Sequence, residues 1–519
     1  MRHPLRRSLL AGLAASTLLA TGALGHDVGA AAGSPRHAVA SVGGGGTLRV
    51  VVTAEPRSLN QAIDNNSSTL GVSKLVTDRL VSIDGDRSEP APGLVESWER
   101  VDDLTWTLAL REGVSFTNGE PFNAEAAVFS ILEVRDTPGA FSAYVQTIED
   151  AEATDEHTVT LTTTQPIAFV PEILTIIPAV PPEAYAATSP EDFGRAPIGT
   201  GPFVLDSWAP GQRMSFVRNE EYWGELALLD SVEVSWNAEP ESRVALLETG
   251  EADIIKSVPP QLVERVESGE GLTIAPVDSL GVIVLQPNLD APPFDDVRVR
   301  RAVAHAIDRD ALVNTVFSGV GATAHDSVFA PSFDSGAVTP EGAPTYDPDA
   351  ARALVEEVGD IGSIELYWTI GRYVLDNQVG EALAGMLEDV GFSVERNAME
   401  AGAYFELLLT DEMPGIHLIS MGAVFPHESY PINSFFLPDS VVTYCAQDEL
   451  VDPTTEALSL EGEERTAAYT EIARRLVVDD VCPIPMYIEV QNWGVSDSVE
   501  GFVPRGDEFL DLAAVTVEG

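Results

Sequence analysis

His427-Glu428 is a close acid–histidine pair in a loop-like stretch of this chain. A histidine beside a carboxylate can move a proton or help hold a metal, but either task needs further ligands or a nucleophile nearby. The eight histidines are scattered and none shows a paired ligand spacing. A plain surface loop is therefore the default reading of 427–428. No phosphate loop of the GxxxxGK type, no HExxH, no CxxC and no GxSxG elbow occurs. Gly199-Thr200-Gly201-Pro202 runs into Phe203-Val204-Leu205 rather than into a helix, so the anion-binding geometry of a helix N-terminus is missing. It reads as a tight turn entering a strand. No catalytic residue, metal ligand or cofactor is assigned.

The elements that must position any site belong to a chain of 519 residues, enough for two or three packed lobes. Hydrophobic residues at 45% and charged residues at 21% are an ordinary globular balance. The charge is not ordinary: 82 Asp+Glu stand against 29 Lys+Arg, for a net −53. Only Lys74 and Lys256 are lysines, so nearly every cation is an arginine. Such a surface repels phosphate backbones, which excludes nucleic acid as a partner, and it disfavours docking on anionic lipid by charge alone. A salt-rich habitat is one source of this acidity; composition does not decide it.

Residues 1–25 read as an export signal. Arg2, Arg6 and Arg7 form a positive start, Leu9 to Ala20 is apolar, and Ala23-Leu24-Gly25 supplies the small residues of a cleavage site. Arg6-Arg7-Ser8-Leu9-Leu10 also resembles a twin-arginine signal. Residues 26–46, ending in four glycines, read as a linker. No cysteine follows the signal to take a lipid anchor, so the mature chain is expected to be soluble and extracytoplasmic. Cys445 and Cys482 either pair or stay as two separate buried thiols, and the sequence leans to the thiols.

Strands are expected over Thr47–Val52, Thr105–Leu110, 157–162, Ser231–Trp236 and 281–285, where β-branched or alternating apolar residues lie between turn residues. Helices are expected after Asn123, over 296–307, over 347–358 with Pro348 in the first turn, and over 377–390 before Gly391. The alternation predicts an α/β protein with mixed sheets.

Four blocks then stand in a recognisable order. The first is Leu94-Val95-Glu96-Ser97-Trp98-Glu99 with Leu104-Thr105-Trp106-Thr107, Leu110 to Phe116 and Asn118 to Glu125. The second is Pro197 to Phe203, then Arg218-Asn219-Glu220-Glu221-Tyr222-Trp223-Gly224. The third is Leu247 to Asp253, and the fourth is Pro293 to Arg300 with Ala306-Ile307-Asp308-Arg309. Together they resemble extracellular solute-binding protein family 5, the dipeptide-, oligopeptide- and nickel-binding components of ABC importers.

The resemblance implies a two-lobed periplasmic-binding-protein-like fold of type II, with the first lobe split into two subdomains. Mapped onto this sequence, one subdomain takes 46–80, 205–282 and 486–519, the other takes 81–204, and the second lobe takes 283–485. Crossing segments are expected near Val282 and Pro485. The implied function is a non-catalytic, monomeric receptor that captures a small peptide-like solute and delivers it to ABC permease subunits. Saccharide, metal-chelate, sensory-receptor and hydrolase readings are the alternatives; nickel is disfavoured because no histidine cluster is present.

For the site, Gly371-Arg372-Tyr373 resembles a motif of one branch of the family, and a guanidinium there would fork onto a carboxylate. Relatives hold the ligand's amino group with an acid before an Asp-Pro pair. Here Tyr430 stands before Pro431 and is itself a candidate ligand contact, which leaves Glu428 as the candidate acid and a solvent-facing glutamate as its alternative. Asn65, Asn66 and Ser67 are candidates for polar contacts, and Trp368, Tyr404 and Phe425 for apolar ones, with core packing as the alternative for all three aromatics.

Overall fold

The computed structural model describes residues 45–518 apart from 65, 84–88, 139–140, 334, 337–338, 411 and 423–424. The expected signal, most of the linker and Asn65 lie outside the described residues. Among those residues the strand Thr47–Val52 forms where expected, as do Thr105–Leu110 and Ser231–Trp236. In the latter two, buried apolar residues alternate with partly exposed ones. The helix Ala124–Asp136 starts at Asn123, whose side chain accepts from the Ala126 N–H. Pro348–Val358 begins with its proline and ends at Gly359, at φ 84°.

Eleven strands form one mixed sheet. Thr47–Val52 lies parallel to Ser231–Trp236 on one side and to Ile254–Ile255 on the other. At the far end Ser363–Ile370 lies parallel to both Ser393–Glu400 and Ile416–Met421. Two long antiparallel strands, Leu272–Pro287 and Ile484–Ser496, join these halves. Residues 272–278 pair with 490–496 at one end, and 282–285 pair with 484–488 at the other. The register breaks between the two stretches, at Asp278/Val282. Only 281–285 reads as a strand from sequence, because Pro276 interrupts the first half. A separate antiparallel sheet runs Val95–Arg100, Thr105–Leu110, Thr158–Thr163, Ile148–Asp155.

Most buried apolar side chains among the described residues gather in three regions. One contains Leu48, Val50, Phe203, Phe216, Val234 and Trp493. A second surrounds the four-stranded sheet, with Trp106, Phe116, Phe122 and Ile131. The third fills 282–488, with Trp368, Leu383 and Tyr487 on one face of the sheet and Tyr404, Phe436 and Tyr469 on the other.

The family blocks do structural work. Gly199 and Gly201 pass so close to Val76 that a β-carbon would lie 2.1 Å from its carbonyl oxygen and 2.5 Å from its carbonyl carbon, respectively. No other residue fits there. Thr200 and Trp223 both donate to Asp78, at 3.1 and 2.8 Å. Cys445 and Cys482 form a disulfide, which corrects the reading as separate thiols. The helices of 451–480 return the chain so that both cysteines lie beside the Pro287 carbonyl, a meeting no sequence pattern announces. Closing a loop of this length stabilises the fold by about 3–4 kcal/mol.

Candidate functional site

A cleft of about 850 Å³ opens at the register break of the two long strands. Ser279, Gly281, Glu489 and Asn492 come from those strands, Asn66, Ser67 and Arg79 from one side, and Arg372, Ser420 and Phe425 from the other. That volume suits a small organic ligand.

Arg372 is presented by a built turn. The carboxylate of Asp376, 4% exposed, accepts the N–H groups of Gly371, Arg372 and Tyr373 at 3.0, 2.8 and 3.2 Å and the Thr369 hydroxyl at 3.0 Å. Gly371 takes φ 79°, a conformation that costs a glycine nothing. Tyr373 anchors the turn by accepting the Ser420 N–H at 3.1 Å. The Arg372 guanidinium stays exposed, 5.4 Å from the centre of the Tyr373 ring. No described carboxylate lies within ion-pair distance of it.

Facing this turn, Glu489 accepts the Val374 N–H at 2.7 Å. Burial pushes its carboxyl up to about 7, against the pull of that N–H and of Arg372. Glu508 is held below the usual carboxylate range despite its burial, because Lys256 stands 2.5 Å away and Gln491 and Ser67 donate to it. Arg505 pairs with Asp507 at 2.6 Å. Asn66 lines the cleft while capping the helix Ser67–Ser73.

The remaining candidates lie elsewhere. Trp368 is fully buried and donates to Asn377 at 3.2 Å; Tyr404 is fully buried and donates to the Leu418 carbonyl at 2.6 Å. Both belong to the core. His427 and Glu428 are 0% and 1% exposed, so the reading of a surface loop with a solvent-facing glutamate is corrected. The loop is wedged between Phe169, whose ring lies 4.1 Å from that of His427, and the helix bearing Arg465 and Tyr469. Glu428 accepts the Ser335 hydroxyl at 2.7 Å, and Arg465 lies 3.8 Å from it and 3.5 Å from Glu172. Glu428 thus does not line the cleft. His427 and Arg465 instead border a second cavity of about 440 Å³. Tyr430 also lies outside the cleft, its hydroxyl 2.7 Å from that of Tyr144.

Sequence reasoning missed Arg79, Glu489 and Glu508. A signal existed for Glu489: the apolar run Ile484–Ile488 stops at Glu489-Val490-Gln491-Asn492, polar residues inside a strand. Among the described residues, no group of three or more acidic, histidine or cysteine side chains could hold a metal ion, and no helix is long and apolar enough to cross a membrane.

Residues 89–441 match the family model of bacterial extracellular solute-binding proteins, family 5. The dipeptide-binding protein of Escherichia coli K12 is 27% identical over 340 residues, covering 60% of this chain and 63% of that protein. The glutathione-binding protein GsiB of the same strain is 31% identical over 316 residues, covering 60% and 61%. The matched stretch is thus under two thirds of either relative. The substrate-binding protein CtaP of Listeria monocytogenes superposes with TM-score 0.83 at 19% identity, over 91% of this chain and 99% of that one. That likeness shows the expected two-lobed type II binding-protein fold.

Proposed function

Since this chain belongs to family 5 of the bacterial extracellular solute-binding proteins, we propose that it is the exported substrate-binding receptor of an ABC importer, taking a short peptide or peptide-like compound. The observation that carries the reading is the pair Arg372 and Glu489, an exposed guanidinium beside a half-buried carboxylate in one cleft. A peptide presents the complementary groups, a terminal carboxylate and a terminal ammonium. Ser279, Ser420, Asn492 and Gln491 add short polar groups suited to a peptide backbone, and Phe425 and Phe509 add apolar surface.

In this reading the lobes are those the family resemblance implies: 46–80, 205–282 and 486–519 with 81–204 make the first, and 283–485 the second. The proposed hinge lies at the crossing segments near Val282 and Pro485, where the strand register breaks at Asp278/Val282. Ligand touching both sides stabilises the closed form, which the permease subunits then engage. No step of bond making or breaking is required, and the receptor acts as a monomer outside the cytoplasm.

Native mass spectrometry of protein purified from its source, followed by calorimetry with the identified solute, tests the reading. Recovery of intact short peptides at one per chain supports it. A bound saccharide, or peptides returned cleaved, would overturn it.

A further inference from the structure

Inside a protein of net charge −53, the charges lining the cleft do not cancel toward negative. Arg505 is matched by Asp507, and Glu508 by Lys256. Arg372, Glu489 and Arg79 remain, none with an oppositely charged described group within ion-pair distance. Two cations therefore stand against one carboxylate.

Arg79 differs from Arg372 in being buried, at 5% exposed. Its Nη1 donates to the Thr175 carbonyl at 3.1 Å, and the Phe509 ring covers the guanidinium at 4.7 Å. Burial lowers its pKa only to about 10, so it is a cation at neutral pH. Its Nε and Nη2 have no acceptor among the described residues. Those two N–H groups lie side by side on one edge of the guanidinium, the fork that fits both oxygens of a carboxylate. Buried donors are nearly always satisfied, and an unpaired buried charge is destabilising.

We propose that the Nε/Nη2 edge of Arg79 is a second anion anchor in the cleft, so that the receptor selects ligands carrying two carboxylates and one amino group, as in a short peptide with an acidic side chain. The inference rests on the peptide reading and adds a requirement to it. Arg372 holds one carboxylate and Glu489 the ammonium, while Arg79 takes the second carboxylate once its buried Nε/Nη2 edge is uncovered.

The test is calorimetry of the full mature chain with trialanine and with the same tripeptide carrying one glutamate. The wild type should bind the acidic peptide about tenfold or more tighter, the range of one charge-assisted hydrogen-bonded pair. Arg79→Met should shrink that preference to about twofold or less. The ligand-free variant should also melt at a higher temperature than the wild type, because an unpaired buried charge is gone. A purely structural arginine gives the opposite pattern, a lower melting point with the preference intact, and that result overturns the proposal. Equal wild-type binding of the two peptides overturns it too, without any variant having to fold. Binding of neither peptide defeats the peptide reading itself, and this inference with it.

Discussion

The backbone N–H of Val374 donates to a carboxylate oxygen of Glu489 at 2.7 Å, tying the turn that carries Arg372 to the long strand that crosses the sheet. Burial first, then Glu508 and Asp376, raise the Glu489 carboxyl to about 7. An ammonium group binds only the ionised form, so protons compete with ligand below neutrality. Affinity for a peptide with a free amino terminus should be full above pH 7 and fall by up to about tenfold per pH unit beneath it. Glu489→Gln should bind weakly and show no such slope. Calorimetry between pH 5 and 8 decides; a flat wild-type profile removes Glu489 from the ammonium contact.

Arg372 is exposed and has no described acid in ion-pair distance, so its removal should leave the fold intact, although it also removes a pull that lowers the Glu489 carboxyl. Arg372→Ala should weaken binding about tenfold to a hundredfold, the value of one charge-assisted pair, with the melting temperature unchanged. Arg372→Lys should recover part of the loss, since it restores the charge but not the fork. Unaltered affinity in the alanine variant would take Arg372 out of the site.

How much of this was legible in the sequence follows the range of each interaction. Caps and strands set by neighbours were readable, such as Asn123 and Thr47–Val52, because their partners lie within a few residues. The Gly371-Arg372-Tyr373 turn was readable through resemblance, though not its cause, the Asp376 carboxylate that gathers three N–H groups. Glu428 misled because polarity suggested solvent, while its burial depends on Ser335 and Arg465, some 93 residues back in one case. Arg79 was invisible for the same reason: Thr175 and Phe509 reach it only through the fold.

Glu172 makes stability itself depend on pH. It is 7% exposed, and burial raises its carboxyl to about 7, with Arg465 3.5 Å away only partly opposing. A carboxyl raised above its unfolded value of 4.5 contributes stability that is complete below 4.5 and lost as pH climbs through 7. The loss reaches up to about 3 kcal/mol. Glu172→Gln cannot ionise, so between pH 5 and 8 its melting temperature should decline less than that of the wild type. Parallel curves from scanning calorimetry across that range would show that Glu172 stays ionised throughout.

The final expectation concerns closure. Tyr144 and Tyr430 touch through their hydroxyls at 2.7 Å, and the Ala168 N–H donates to the Leu458 carbonyl at 2.7 Å. Both contacts join the region of the four-stranded sheet to the 425–465 region, and neither Tyr144 nor Tyr430 lines the cleft. In the proposed hinge motion about the break at Asp278/Val282, opening would separate these regions, so the contacts would favour the closed form without touching ligand. Tyr430→Phe removes one hydroxyl contact of about 1 kcal/mol and should shift the ligand-free protein toward open. Apparent affinity then drops about three- to fivefold, because a smaller fraction of molecules is competent to hold ligand. Small-angle scattering should find the ligand-free variant more extended than the ligand-free wild type, and the two alike at saturating ligand. If ligand leaves the radius of gyration unchanged in a variant shown to be open beforehand, binding does not close the lobes.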